Sequence, residues 1–211
     1  MIICYPIITM NEIARIAPQC RPTTQAADGT PRLKWSLADF ERLTELGIFS
    51  DADRIELIGG ELVPMSPKGV RHETVRWALS KLLRQRLPID IEYQQEPGWR
   101  PQGREYLEPD ILIFPAGHSP VSVAPSDVLL IIEVAATSLA FDTGLKAKTY
   151  ASLGVREYWV VDAVSLETRV FQDPSPQGYG RDTRFAPDKT VTPQLVPMLA
   201  MRVDDLHIPR T

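Results

Sequence analysis

The order of apolar and polar residues along the chain predicts a series of helices and strands. Residues 70–87 place apolar side chains at the three-and-four spacing of one helix face, and Pro88 ends that helix. Ahead of it, Ser36 is a suitable N-cap for a short helix that reaches about Leu46 and ends at Gly47. The apolar face of the longer helix consists of Val75, Ala78, Leu79, Leu82 and Leu83.

The remaining apolar segments have the pattern of strands. Residues 55–58 and 61–63 alternate around Gly59-Gly60, which predicts a β-hairpin because paired glycines accept the backbone angles of a tight turn. A helix over about 142–153, closed by Gly154, implies a crossover between parallel strands. We therefore expect an α/β fold with a mixed central β-sheet flanked by helices. The sheet strands are expected at about 91–94, 111–114, 128–134, 156–161 and 168–172.

Residues 1–32 show no sustained period and end in a turn-rich polar stretch. We expect them to form an N-terminal extension, an arm with the composition of a mobile segment, ahead of one domain over residues 33–211. The apolar opening segment contains Pro6 and no basic residue, so it predicts neither a signal peptide nor a membrane span, which needs roughly 20 apolar residues. The expected location is the cytoplasm.

The bulk composition limits how this chain can bind nucleic acid. Its 211 residues, 44% of them apolar, are enough for one domain with a core, and a formal net charge of −4 argues against binding by bulk electrostatics. Six of the 23 basic residues, however, fall between Lys68 and Arg86 beside a single acid, Glu73. That segment is either a surface for a phosphate backbone or a solvated helix face. The candidate phosphate contacts are Arg71, Arg76, Lys81 and Arg84.

Two acids interrupt apolar strands and are the candidates for chemistry. Glu133 lies in the run 128–134, which has the pattern of a strand covered on both faces. A buried carboxylate there must be protonated, paired with a cation or bound to a metal, because an unpaired buried charge costs several kcal/mol. Asp110 repeats the situation at the head of the run 111–114. Since the ends of neighbouring strands can meet, the two acids could share one site.

The chemistry of such an acid pair favours a hard cation, Mg²⁺ or Mn²⁺, because ligation by carboxylate oxygens alone selects such ions. Both cysteines lie near the N-terminus and the three histidines are scattered, so the chain has no zinc cluster. An ion held by carboxylates can polarise a phosphodiester and lower the pKa of the attacking water. Two simpler interpretations remain open: a strand-start turn for Asp110 and a buried ion pair with an arginine for Glu133.

The helix after the Glu133 strand offers two lysines. Lys146 shares a helix face with Tyr150, whereas Lys148 points about 200° away around the axis, so only one lysine can face the acids. If this helix packs through Leu145, Tyr150 and Leu153, Lys146 lies at the edge of the buried face and Lys148 faces solvent. A positive charge beside the acids could stabilise a transition-state phosphorane.

Several separated motifs occur in a fixed order along the chain. They are Glu56-Leu57-Ile58-Gly59-Gly60-Glu61-Leu62, Met65-Ser66-Pro67, His72, Pro109-Asp110, Glu133-Val134, the set Asp142, Lys146 and Tyr150, and Gly154-Val155-Arg156-Glu157-Tyr158-Trp159-Val160-Val161-Asp162. Together they resemble the Uma-type restriction endonuclease family, part of the PD-(D/E)XK nuclease superfamily. The resemblance covers residues 35 to 180.

This resemblance implies a restriction-endonuclease-like core, a magnesium-dependent endonuclease acting on DNA, and a homodimer. Asp110 matches the motif aspartate and Glu133 matches the motif acid. The main-chain carbonyl of Val134 would be a further metal ligand.

The chain departs from the superfamily pattern at Ala135, which stands where a lysine is expected. In this family the lysine has moved to the following helix, where the spacing favours Lys146 and leaves Lys148 as the fallback. Glu56 matches an acid that contributes a ligand, although an outward-facing position in the hairpin fits as well. His72 lies on the inward helix face, either as a satisfied core histidine or as a catalytic one.

The sequence leaves three hypotheses for the function of this chain. The first is a DNA endonuclease that binds its substrate weakly and in a salt-dependent way. The second is a non-catalytic nucleic-acid-binding or assembly module that keeps the fold, since the lysine is displaced and the chain is acidic. A glycosidase-like hydrolase ranks third, because it leaves Lys146 idle. Tyr158-Trp159 are expected in the core or a dimer contact, with stacking on a base as the alternative.

Overall fold

The computed structural model describes residues 23–25, 29–49, 53–101 and 105–208. Two compact units divide between Lys34 and Trp35. In the first unit, β1 (Thr23–Gln25) and β2 (Pro31–Leu33) pair in an antiparallel arrangement. Much of the predicted arm lies outside the described residues, so the arm and its boundary stay predictions.

The second unit opens with a capped helix and a hairpin. Its first elements are α1 (Leu37–Glu45), β3 (Ile55–Ile58), β4 (Glu61–Pro64) and α2 (Val70–Arg86). The Ser36 hydroxyl accepts a hydrogen bond from the Asp39 amide, and the Asp39 carboxylate accepts one from the Ser36 amide, which forms a capping box. β3 and β4 pair around Gly59-Gly60, and both glycines have positive φ. The predicted cap, hairpin and long helix are confirmed.

A six-stranded mixed sheet forms the centre of this unit. Its strands are β5 (Ile91–Gln95), β6 (Ile111–Pro115), β7 (Leu130–Ala135), β8 (Glu157–Asp162), β9 (Thr168–Ser175) and β10 (Gly178–Phe185). The order across the sheet is β10-β9-β8-β7-β6-β5, in which β7 and β8 are parallel and the other neighbours antiparallel. The edge strand β10 was not predicted, because its mostly exposed residues have no apolar alternation.

The crossover from β7 to β8 differs from the prediction. It consists of α3 (Leu139–Phe141), a π-helical turn (Asp142–Lys146) and α4 (Ala147–Leu153), so it begins three residues earlier than expected. Leu145 was predicted to pack against the sheet, and this is wrong, since its exposed fraction is 45%. The π-helical turn instead buries Asp142 and Lys146, which come onto the same inward face as Tyr150. Gly154 closes α4 in the left-handed conformation, as predicted.

Hydrophobic residues cover both faces of the sheet. One cluster joins Val75 and Leu79 of α2 with Ile132 of β7, and the other joins Tyr150 of α4 with Ile131. Because both faces of β7 are covered, its apolar run is continuous. The α/β fold with a mixed sheet flanked by helices is therefore confirmed. No helix in the described part of the chain is long and apolar enough to cross a membrane.

Candidate functional site

The two predicted acids come together at one end of the β6–β7 pair. Ile111 of β6 lies opposite Ile132 of β7, which places Asp110 beside Glu133. The Asp110 amide donates a hydrogen bond to Glu133 Oε2 at 3.1 Å, and the Val134 amide donates one to Asp110 Oδ2 at 2.8 Å. Both carboxylates are buried. The antiparallel register thus produces the convergence that the sequence suggested.

Glu133 is held by a lysine and a tyrosine from the crossover. Lys146 Nζ lies 2.9 Å from Glu133 Oε1, and the Tyr150 hydroxyl donates to the same oxygen at 2.9 Å. Lys146 also pairs with Glu56 Oε1 at 3.1 Å, and that oxygen accepts the Glu108 amide. Glu133 therefore forms a buried ion pair, as the simpler interpretation expected, but its partner is Lys146 and not an arginine. Glu56 is buried, so its outward-facing alternative is wrong.

The structure distinguishes the two candidate lysines by position. Lys146 is buried beside the acids, whereas Lys148 is exposed on the other side of the helix. The prediction that Lys146 faces the acids and Lys148 faces solvent is confirmed. Lys146 lies deep within the buried face of the helix, however, and not at its edge. Ala135, at the position of the displaced lysine, is fully buried and cannot supply a charge. The catalytic role of either lysine stays a prediction.

Asp110 is held by a histidine and by a lysine that sequence analysis did not select. His72 Nε2 lies 3.0 Å from Asp110 Oδ2, and Lys68 Nζ lies 2.7 Å from Asp110 Oδ1. The interpretation of His72 as a satisfied inward histidine is confirmed, since it is buried and contacts Asp110, and its catalytic role stays a prediction. Lys68 also pairs with Glu96, which follows β5 with a φ of 48°. Lys68 directly follows the motif Met65-Ser66-Pro67, and this position is the sequence feature that could have marked it as a site residue.

The two acids have opposite electrostatic environments. Burial alone would raise the pKa of Asp110, but the hydrogen bond from His72 and the charge of Lys68 outweigh it and hold that pKa well below its usual range. Burial raises the pKa of Glu133 well above its usual value, and the neighbouring carboxylates Asp110, Asp142 and Glu56 reinforce the effect against Lys146. One carboxylate is thus held ionised and the other favours its proton.

Asp142 shares the same crowded environment. Burial raises its pKa to about 6, against the charge of Lys146 and a hydrogen bond from Ser138. Burial would lower the pKa of Lys146, but Glu133, Glu56 and Asp142 together raise it well above its usual value. Lys146 therefore faces three acids, and their combined charge keeps its ammonium protonated.

A cavity of about 330 Å³ opens over these groups. Apolar side chains such as Phe141 and Met65 line part of its wall, and the polar groups lie together. Those polar groups include Glu56, Lys68, His72, Asp110, Glu133, Asp142 and Lys146. A larger cavity of about 710 Å³ is lined by Arg54, Arg100 and Glu96, but it lacks the buried acid pair. The smaller cavity is therefore the candidate site.

The family profile decides what kind of protein this is. The Uma2 profile, described as a putative restriction endonuclease, matches residues 37–204. This chain belongs to the Uma2 family. A crystal structure of a putative nuclease belonging to DUF820 from Anabaena variabilis is similar, with a TM-score of 0.57 and 17% identity over 81% of this chain and 96% of that one. That likeness shows a shared fold, and no curated protein matched this chain.

The donor set of this Uma2 protein fits a hard divalent cation. Among the described residues, no three His, Cys, Asp or Glu side chains form a metal cluster. Mg²⁺, however, is usually held by one or two carboxylates together with waters, and Asp110 and Glu133 supply that number of oxygen ligands. The Val134 amide binds Asp110. Ligation by the Val134 carbonyl stays a prediction.

The basic segment of this Uma2 protein does not form a single basic face. Lys68 contacts Asp110, Arg71 donates to the Ala163 carbonyl at 2.8 Å, and Arg76 pairs with Glu73 and Glu96. The basic residues that are exposed follow later in α2 and are Lys81, Arg84 and Arg86. Of the four candidate phosphate contacts, Arg71 and Arg76 are therefore bonded to other parts of the protein, and Lys81 and Arg84 are exposed.

The aromatic pair of β8 also has a definite position in this Uma2 protein. Tyr158 and Trp159 both have an exposed fraction of 0%. Tyr158 donates to the Asp142 carbonyl at 3.1 Å, and Trp159 Nε1 donates to Glu157 at 2.8 Å. Core packing is confirmed for both, and stacking on a base is excluded.

Proposed function

We propose that this chain is a divalent-metal-dependent endonuclease that hydrolyses phosphodiester bonds in DNA. The observation that carries the proposal is the convergence of Asp110 and Glu133, from adjacent strands, in one cavity with Lys146. A nuclease site needs acids for a cation and a positive charge near the developing phosphorane, and this cavity contains both. Membership in the Uma2 family supports the same reaction.

In this proposal Asp110, Glu133 and the carbonyl of Val134 hold Mg²⁺ or Mn²⁺. When bound, such an ion would polarise the phosphodiester and lower the pKa of the attacking water. Asp110 is the stronger partner for a cation, since its pKa lies well below its usual range and it stays ionised. Glu133 must release its proton to bind a metal, because its pKa is raised.

The remaining polar residues position the acids. Lys146 and Tyr150 fix the Glu133 carboxylate through one oxygen, and His72 orients Asp110. Glu56 holds Lys146 from the other side and is a candidate further ligand. The lysine ammonium stays charged in this environment, so it can also stabilise negative charge on the phosphate.

A non-catalytic nucleic-acid-binding or assembly module is the second candidate. One observation favours it, which is that both oxygens of Asp110 and both oxygens of Glu133 already have protein partners. A fully hydrogen-bonded acid pair can serve a stable core without any metal. Metal binding would have to displace part of this network, and Lys68 is its least buried member.

The proposed partners are DNA, bound weakly and in a salt-dependent way, and a second copy of the chain in a homodimer. DNA binding is supported by the exposed basic residues Lys81 and Arg84. The homodimer rests on the family resemblance. Light scattering of the purified chain measures the mass in solution and tests it.

Calorimetric titration with Mn²⁺ tests the metal site. The wild type should bind, and Asp110→Asn should not, since the substitution removes the ionised ligand. Glu157→Gln is a matched control, because Glu157 is also buried but bonds Trp159 and Gln194 away from the cavity. The proposal is contradicted if the wild type binds no Mn²⁺, or if Asp110→Asn binds it as tightly as Glu157→Gln.

A further inference from the structure

The solvent face of α2 carries a regular stripe of side chains. Successive members are four, three, four and three residues apart, which places them on one face of a helix. The stripe consists of Val70, Thr74, Trp77, Lys81 and Arg84. Val70 is 71% exposed and Trp77 is 53% exposed, so the stripe presents two apolar side chains to solvent.

This stripe is continuous with the candidate site. Lys68, Val70, Thr74 and Trp77 line a shallow depression on the surface of α2. Lys68 also lines the site cavity, where its ammonium lies 2.7 Å from Asp110 Oδ1. A chain that follows the stripe from Trp77 past Val70 therefore arrives at the acid pair.

The charge along the stripe favours a polyanion. Lys81 Nζ lies 5.6 Å from the centre of the Trp77 ring, and Arg84 follows one turn later and is exposed. No member of the stripe is acidic. Glu73, which borders the depression, is paired with Arg76. An aromatic face beside two exposed cations is the combination that binds a nucleic-acid strand through a stacked base and its phosphates.

A second copy of the chain fits this stripe less well. If two α2 helices paired antiparallel about Trp77, Lys81 would lie level with Glu73 of the other copy and Arg84 would lie level with Val70. Glu73 is already paired with Arg76, so Lys81 would gain no unpaired acid, and Arg84 would meet none. Both cations would lose water on burial, which costs free energy. Charge complementarity therefore selects nucleic acid as the occupant.

We propose that the α2 stripe binds an unpaired segment of nucleic acid, with one base stacked on the Trp77 indole and neighbouring phosphates on Lys81 and Arg84. A base inside a duplex is already stacked on both faces, so Trp77 can receive only a base that is unpaired. The substrate class is thus single-stranded or locally unpaired nucleic acid. This inference rests on the proposed function, because it names the form of the substrate for the same site.

The test measures binding in EDTA, so that it depends on neither metal nor cleavage. Fluorescence anisotropy of a labelled oligothymidylate is compared with that of a duplex of the same length. The wild type should bind the single strand at least about tenfold more tightly, since each stacked base contributes that order of affinity. Trp77→Ala should remove this advantage, and Trp77→Tyr, which keeps an aromatic face, should retain most of it.

Trp35→Ala is the matched control. The chain has four tryptophans, of which Trp99 and Trp159 are fully buried, so the partly exposed Trp35 is the appropriate comparison for Trp77. Its substitution should leave the affinity for the single strand unchanged. Intrinsic fluorescence of the wild type should be quenched by the oligonucleotide, and Trp77→Ala should lose that quenching.

Three outcomes would overturn the inference: equal affinity for single strand and duplex, unchanged binding by Trp77→Ala, or a Trp77→Ala variant that changes only from dimer to monomer. The last result would assign the stripe to a contact between copies. Failure of the proposed nuclease is judged separately, by Mn²⁺ binding at Asp110, so each idea can fail while the other stands.

Discussion

The Asp110 amide donates a hydrogen bond to Glu133 Oε2 at 3.1 Å, so the backbone of one site acid orients the carboxylate of the other. The relationship is a consequence of strand register, because Asp110 directly precedes β6 and Glu133 lies in the neighbouring strand β7. Any change in this register would separate the acids. The geometry of the acid pair is therefore set by the register of β6 and β7, with Asp110 as the residue directly before β6.

Replacement of Glu133 by Gln should abolish Mn²⁺ binding and keep the fold. The raised pKa of Glu133 means that its protonated form is well tolerated, and Gln resembles that form in shape and charge. Thermal unfolding followed by circular dichroism checks the fold, and an anomalous map from Mn²⁺-soaked crystals checks the site. An ion seen beside Asp110 in the Gln variant would show that Glu133 is not a ligand.

Replacement of Lys146 by Ala should reduce Mn²⁺-dependent cleavage by at least about 10²-fold, the typical effect of losing a group that stabilises transition-state charge. It should also destabilise the fold by about 3 kcal/mol, because Glu133 and Glu56 lose their buried counterion. Urea unfolding measures the loss of stability. Cleavage rates are then compared only under conditions in which the variant is folded, so that the two effects are separated.

Lys148→Ala is the control for that experiment, because Lys148 lies two residues away on the exposed side of the helix. It should retain both activity and stability. If Lys148→Ala is the inactive variant, the catalytic role belongs to Lys148. Equal activity of both variants would mean that no lysine of this helix acts in catalysis.

Stability should fall as the pH rises through the titration of Asp142. Burial raises the pKa of this carboxyl from 3.8 to about 6, so between these values the folded state holds a proton that the unfolded state has released. The free energy of unfolding therefore decreases with pH in this window and is lowest above it. Asp142→Asn removes the titration and should stabilise the protein at pH 8 by about 1 to 3 kcal/mol, with a smaller gain near pH 4.

Urea unfolding in EDTA at several pH values measures this difference. Asp188→Asn is a suitable control, because Asp188 is a solvent-exposed carboxylate. An Asp142→Asn variant no more stable than the wild type at pH 8 would contradict the buried, proton-holding state of Asp142.

Much of the acid pair could be predicted from local pattern. A carboxylate within a continuous apolar strand, as at Glu133, indicates a buried charge that needs a compensating partner. The same logic located Asp110 and chose Lys146 over Lys148 by helical spacing. These inferences succeed because strand and helix periods are fixed by backbone geometry.

The rest of the site depends on contacts that sequence pattern does not encode. Lys68 and Glu96 meet because the segment before α2 folds back onto the end of β5, far away along the chain. Leu145 was misplaced because the π-helical turn changes which residues face inward, and no local signal marked that turn. The strand β10 was missed because an exposed edge strand needs no apolar alternation.

Association with DNA should depend strongly on salt and on the end of α2. Charge reversal of Lys81 and Arg84 to Glu should weaken binding to all sequences alike, since phosphate contacts carry no sequence information. Arg181 and Lys189, exposed basic residues elsewhere, provide a matched double reversal that should have little effect. Anisotropy titrations between low and moderate salt measure the slope. If the affinity of the wild type for DNA does not change with salt, the proposed phosphate contacts at Lys81 and Arg84 are contradicted.

The nicking of supercoiled plasmid in the presence of Mn²⁺ tests the account most directly, because it requires the acid pair, the cation and the substrate together. The wild type should convert supercoiled plasmid to nicked and linear forms, with no reaction in EDTA. Asp110→Asn should be at least about 10²-fold slower, because the variant loses the cation that would stabilise transition-state charge, and Glu157→Gln should cut like the wild type. A wild type that cuts nothing with Mg²⁺ or Mn²⁺, or an Asp110→Asn variant that cuts as fast, would contradict the account.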